Sequence, residues 1–326
     1  VAFPARLRAG SPQVMKNWPQ VRRILRIAGT LVGLVLFAYQ LYTSISVLSA
    51  QRQQLQLAWG WVFLALGVYL LVYFLQMVNL WLVYTVNFPA LALKPIVQGY
   101  AMSFLPKYTP GYIWGYLSRA DWLESRAGIP GAYSWLATVL EVAVTLMSGA
   151  VVLLLNWALR GGRFLALALL AALLPWLVWL LMRLAAGFAR KFLKEERQHV
   201  VEAFAMPFPR WALLSANSIF QWLLLGVGLR LLSVGFSYQS GLPFWSALWG
   251  HIYAFCLSWL GGFLAVLIPN GLGVRETVLN ALLESQLGFA ASAAIVISVA
   301  SRVLLFLAEL GWLLLSLQIK RNPPAD

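Results

Sequence analysis

Apolar residues in this chain come in long unbroken runs rather than in the alternation of half-buried strands. Six stretches, roughly 24–46, 57–84, 132–157, 164–186, 211–235 and 289–318, are long enough to cross about 30 Å of hydrocarbon as helices. Two further apolar zones are interrupted. Segment 95–122 carries Pro106, Pro110 and Gly111 near its middle, leaving about 11 residues, or about 16 Å of helix, on each side. Segment 244–286 is broken by Pro269-Asn270-Gly271-Leu272-Gly273, although 244–268 alone is long enough to span. The pattern predicts an all-α polytopic membrane protein. About six full transmembrane helices are joined by two Pro/Gly-broken re-entrant hairpins, and residues 1–326 form a single integral membrane domain.

Composition agrees. Of 326 residues, 61% are hydrophobic and only 10% charged, too few polar groups to cover a water-soluble surface of this size. The formal charge of +14 would point to nucleic acid in a soluble protein, but here the bases lie between the apolar runs, where they report topology. Sixteen of them fall on one side: Arg6, Arg8, Lys16, Arg22, Arg23, Arg26, Lys94, Arg119, Arg126, Arg190, Lys191, Lys194, Arg197, Arg210, Lys320 and Arg321. Arg52, Arg160 and Arg163 fall on the other. The positive-inside rule then puts both termini in the cytoplasm and makes 187–210 a basic cytoplasmic linker. Reading 95–122 as one full span would move that linker outside and erase the bias. The basic start of the chain lacks a short apolar region with a small-residue cleavage site, so no removed signal peptide is expected. One cysteine, Cys256, and two histidines, His199 and His251, without metal-ligand spacing predict no disulfide, metal or cofactor.

This topology contains a repeat. Residues 57–157 and 211–318 each read as helix, broken hairpin, helix, and the two copies run in opposite directions, an arrangement characteristic of transporters whose halves exchange roles. Irregular backbone at membrane depth must be buried or line a wet cavity, so both hairpin tips are candidate sites. At the second tip, Gly271 and Gly273 allow close backbone approach before a helix whose first turn carries Arg275 and Glu276. Free amides, the helix dipole and a guanidinium together suit a phosphate. Alternatively, Glu276 neutralises Arg275 and the pair staples the hairpin. The first tip offers Lys107, Tyr108 and Gly111, with Arg119 at the cytoplasmic mouth. Ionisable residues within spans are costly and read as functional; Glu141, Arg302 and Glu309 stand out as charge or gating residues. Glu141 lies 31 residues beyond Pro110 and Arg302 lies 33 beyond Pro269, so a Glu141–Arg302 ion pair across the pseudo-two-fold is expected. Arg183 and Arg230, near helix ends, are expected to snorkel to the interface.

The stretch Pro269-Asn270-Gly271-Leu272-Gly273-Val274-Arg275-Glu276, with Pro110-Gly111-Tyr112-Ile113-Trp114-Gly115 and Arg119, resembles the flippase-like family of the lysylphosphatidylglycerol synthase transmembrane domain. Tyr116 departs from the commoner pattern, in which an acid follows the second glycine. The resemblance, over roughly residues 20–320, implies a bacterial or archaeal cytoplasmic membrane. It also implies movement of anionic or aminoacylated phospholipids, or polyprenyl-phosphate-linked intermediates, between leaflets. A soluble aminoacyl-transferase domain has no room in this chain, so a transporter rather than an enzyme is expected. The competing readings are an intramembrane lipid-modifying enzyme and an accessory subunit of a cell-envelope glycosyltransferase.

Overall fold

The computed structural model describes residues 57–108, 113–160, 164–192, 206–238, 241–264, 271 and 273–318, with Tyr42 and Ser46. The expected span 24–46 therefore lies outside the described residues, Tyr42 and Ser46 apart. So do Gly111, Pro269, Asn270 and the middle of the basic linker. The described residues form helices joined by turns and short irregular connections, with no strand among them. In chain order the helices are α1 (Trp59–Tyr84), α2 (Leu93–Met102), α3 (Ile113–Ala127), α4 (Gly131–Arg160), α5 (Phe164–Phe192), α6 (Phe208–Gly235), α7 (Phe244–Leu264), α8 (Val274–Leu287) and α9 (Ala291–Gln318). A short 3₁₀ turn, Pro106–Tyr108, follows α2.

Six of these, α1, α4, α5, α6, α7 and α9, are long and apolar enough to cross a membrane. The protein is thus a multi-pass, all-helical membrane protein. Five of the six match expected spans. The sixth, α7, is a 21-residue helix, about 31 Å long, the spanning length that residues 244–268 allow. The linker is also shorter than expected, because α5 continues to Phe192 and α6 begins at Phe208.

Helices α1 and α6 pack against each other along much of their length and run antiparallel: the Ala58 amide, just before α1, donates to the Gly235 carbonyl at the end of α6 (2.8 Å). Both are interior helices with large buried faces. Helices α4, α7 and α9 surround them, while α5 lies outermost and is almost wholly unburied. Helix α5 is held by aromatics: Trp211 Nε1 donates to the Pro175 carbonyl (2.9 Å) and Trp176 stacks on Phe208 at 4.0 Å. Its leucine-rich outer face is what lipid contact requires. Trp59, Trp61 and Trp245 are exposed near the start of α1 and of α7, where an aromatic belt belongs.

Close approach of these helices depends on missing side chains. A Cβ on Gly226 of α6 would sit 2.4 Å from the Cα of Ile252 on α7, well inside any van der Waals contact. Gly226→Ala should therefore force α6 and α7 apart and destabilise the bundle by about 1–3 kcal/mol. Heat-induced aggregation of purified protein measures this, and a midpoint equal to that of the parent would refute it.

The two interrupted segments have a shared geometry. Tyr133, at the start of α4, donates from its hydroxyl to the Val83 carbonyl at the end of α1 (3.1 Å) and packs on Phe88. The intervening α2–α3 pair therefore begins and ends at the same end of the bundle. Neither arm is long enough to cross: α2 has 10 residues and α3 has 15. Likewise Phe289, at the start of α9, packs on Tyr238, just after α6, and on His251 in the second turn of α7. The α7–α8 pair thus begins and ends at the opposite end, where Ala58 meets Gly235.

Candidate functional site

The charged residues singled out in the sequence converge. Lys107, Arg119, Glu141, Arg275, Arg302 and Glu309 all line one cavity of about 170 Å³, together with residues of α1, α6 and α7. It lies far from the helix ends. Glu141 is about 15 Å from the start of α4, Arg302 about 16 Å from the start of α9, and Glu309 about 14 Å from its end.

Each acid in the cavity is held by a base. Glu141 Oε2 accepts from Arg119 Nη2 at 2.6 Å, and Glu141 Oε1 accepts from the Tyr100 hydroxyl at 3.1 Å. The same Arg119 nitrogen donates to Thr138 Oγ1 (2.8 Å), and its guanidinium lies over the Tyr100 and Tyr116 rings. Glu309 Oε1 takes the Lys107 ammonium at 2.5 Å and the Tyr73 hydroxyl as well. Lys107 also sits over the rings of Tyr73 and Phe104. The third pair is looser: Arg302 Nη1 is 3.7 Å from Glu276 Oε1.

Two expectations are corrected by these pairs. The Glu141–Arg302 ion pair does not form; both residues have the expected depth, but Glu141 faces Arg119 of α3 and Arg302 faces Glu276 of α8. Arg119 does not sit at a cytoplasmic mouth either. It is 2% exposed and inside the bundle, so it drops out of the topological count, which keeps its bias without it.

The second tip also differs from the sequence reading. Gly271 and Gly273 have φ of 63° and 86°, conformations that favour glycine. A Cβ on Gly271 would meet the Cα of Gly262 on α7 at 2.8 Å. These glycines serve the turn and its packing against α7. The Gly273 amide, expected to be open to a ligand, donates to Glu276 Oε2 at 2.8 Å, the carboxylate half of a capping box. Glu276 thus closes the helix terminus and leans towards Arg302 rather than forming an ion pair with Arg275. Arg275 stacks its guanidinium over the Phe255 ring at 4.7 Å, lines the cavity, and has no acid paired with it among the described residues. Of the remaining tip residues, Tyr108 contributes backbone to the 3₁₀ turn, and Gly111 lies outside the described residues. Arg183 is exposed over the Trp179 ring, whereas Arg230 is half-buried with its Nε and Nη1 enclosed and unpartnered among the described residues, not the snorkelling geometry expected of it. His251 is enclosed between Ser233 Oγ (3.1 Å) and the Ala247 carbonyl (2.6 Å), away from the cavity.

Neutral polar residues, which the sequence reading passed over, form the rest of the lining: Gln76 and Asn79 on α1, Ser218 and Gln221 on α6. Asn79 Nδ2 donates to Ser218 Oγ (2.8 Å), and Asn217 Nδ2 donates to Asn79 Oδ1 (2.7 Å). Their signal was the three-residue spacing of Gln76 and Asn79, and of Ser218 and Gln221, inside otherwise apolar runs, which puts each pair on one helix face. Chemically, the cavity is a mid-bundle chamber with four bases, two acids and a row of amides and hydroxyls. Such a chamber can replace hydration water around an anion. No family model, curated protein or solved structure matches this chain.

Proposed function

We propose that this protein moves a phosphate-bearing lipid between the leaflets of a cell membrane, the headgroup passing through the charged cavity while its hydrocarbon tails stay in the bilayer. The observation that carries this reading is Arg275: a guanidinium in a mid-bundle cavity, beside Arg302 and Lys107, with no acid paired to it among the described residues. A cation in that setting is costly without an anionic partner. A phosphate group supplies the missing charge and accepts two parallel N–H bonds from the guanidinium fork.

The same reading takes α2–α3 and α7–α8 as hairpins entering from opposite faces, and the two halves as an inverted repeat. The opposed ends at which the two pairs begin and finish support it, as does the antiparallel packing of α1 on α6. Lys107, on the turn between α2 and α3, and Arg275, at the start of α8, then bring one base from each hairpin to the same chamber. Similarity to the flippase-like family belongs to this proposal too, and rests on the tip motifs alone.

Purified protein in liposomes with labelled phosphatidylglycerol and labelled polyprenyl phosphate tests the proposal. Leaflet exchange above that of protein-free vesicles, without chemical conversion, is the expected result. Conversion without exchange would replace the transporter by a lipid-modifying enzyme, and neither outcome would point to an accessory subunit.

A further inference from the structure

We infer that the headgroup this cavity accepts carries a neutral, hydroxyl-rich group on its phosphate, and that a cationic aminoacyl headgroup is rejected. The inference rests on the lipid-binding reading above and narrows its substrate. It comes from an observation separate from Arg275. Gln221 is 7% exposed, lines the cavity, and has no partner for its Nε2 among the described residues. A buried amide donor left without an acceptor carries a desolvation penalty that a ligand oxygen removes.

The surroundings of Gln221 fit a polyol. Ser218, one turn before it, holds its hydroxyl in a chain with Asn79 and Asn217. Trp259 and Phe263, stacked at 5.6 Å, add an apolar wall to the same cavity against which the C–H face of a sugar or glycerol packs. An ammonium finds no comparable place. Glu141 is held by Arg119 and Tyr100, and Glu309 by Lys107 and Tyr73, so a cationic headgroup must displace a base already seated on each carboxylate. With four bases and two acids in the lining, an added positive charge also meets net repulsion. A phosphate ester with hydroxyl groups answers both demands: its charge balances Arg275 and its hydroxyl oxygens accept from Gln221.

Two lipid classes present this chemistry, phosphatidylglycerol and glycosyl polyprenyl phosphates. The test is competitive binding to the full chain in phosphatidylcholine nanodiscs, with four probes: phosphatidylglycerol, a glucosyl polyprenyl phosphate, lysyl-phosphatidylglycerol and phosphatidic acid. At least one of the first two should bind about tenfold more tightly than the lysyl ester, and the tighter of them names the lipid class. Gln221→Leu should weaken that lipid about fivefold, the loss of one neutral hydrogen bond, and leave phosphatidic acid unchanged. Gln221→Asn, which keeps the amide but shortens its reach, should give the same selective loss if the leucine variant does not stay monodisperse. Lysyl-phosphatidylglycerol binding as tightly as the hydroxyl-bearing lipids would overturn the inference. So would equal weakening of phosphatidic acid by both variants, or no binding of any probe. Preferential binding without leaflet exchange would instead refute transport while leaving the headgroup assignment in place.

Discussion

Arg275→Gln should abolish most leaflet exchange while leaving the protein at least as stable as its parent. The two halves of this expectation have one physical origin. A side chain that staples a structure has an internal partner, and its removal strands that partner. Among the described residues Arg275 has no acid partner: Glu276 is engaged with the Gly273 amide and inclined to Arg302, and the Arg275 guanidinium rests on Phe255. Replacing it with glutamine keeps most of the side chain and removes a charge that sits beside Arg302 and Lys107, so the folded state gains by losing repulsion. The bound phosphate loses its charge-assisted bonds, worth about 2–3 kcal/mol, which corresponds to about 30- to 150-fold in binding. Arg275→Lys should recover part of this, since an ammonium supplies the charge without the bidentate fork. Arg183→Gln, on the exposed face of α5, should exchange lipid like the parent. If Arg275→Gln instead lowers the thermal midpoint in step with activity, the residue is a structural staple and the cavity needs another reading.

Depth in the membrane was legible in the sequence, and azimuth was not. Counting from Pro110 and Pro269 placed Glu141 and Arg302 at comparable levels, and both do reach the central cavity. Which of them face each other depends on how far each helix is rotated about its axis, and that is set by packing contacts such as Gly226 on Ile252 and Tyr133 on Phe88. Arg119 illustrates the same limit. It stands in a charged stretch with Asp121 and Glu124, which are exposed, so the run looked like a solvated mouth. The helical period turns Arg119 inward and Asp121, two residues on, outward. The amides of α1 and α6 are hidden for a different reason: an isolated Gln or Asn barely lowers the hydropathy of a 25-residue run and carries no formal charge. At the second tip the glycine motif alone does not separate ligand approach from backbone demand, and the structure shows the latter in the positive φ of both glycines and the contact of Gly271 with Gly262.

The largest stability effect is expected at Glu141. Arg119 is 2% exposed, and Glu141 is its acid partner, at 2.6 Å. Glu141→Gln leaves a buried guanidinium facing a neutral amide, with the Thr138 hydroxyl and two aromatic rings as its other contacts among the described residues, and breaking a buried pair from one side typically costs about 3–5 kcal/mol. The double variant Glu141→Gln with Arg119→Met should recover most of that loss, because the uncompensated charge is then gone. Glu309→Gln should cost less, since the Lys107 side chain keeps 26% of its exposure and its ammonium can draw on water. Thermal midpoints of the four proteins order these effects. Exchanging Glu141 with Arg302 decides the pairing itself. With Arg119 as the true partner, the exchanged protein places two guanidinium groups together on the α3–α4 side and two carboxylates at α8–α9, and it should fail to fold. Exchanging Glu141 with Arg119 keeps the opposite charges facing each other and should be tolerated far better. The reverse order of those two swaps would restore the pairing of Glu141 with Arg302 across the two halves and would remove the basis for assigning Arg119 to the cavity wall.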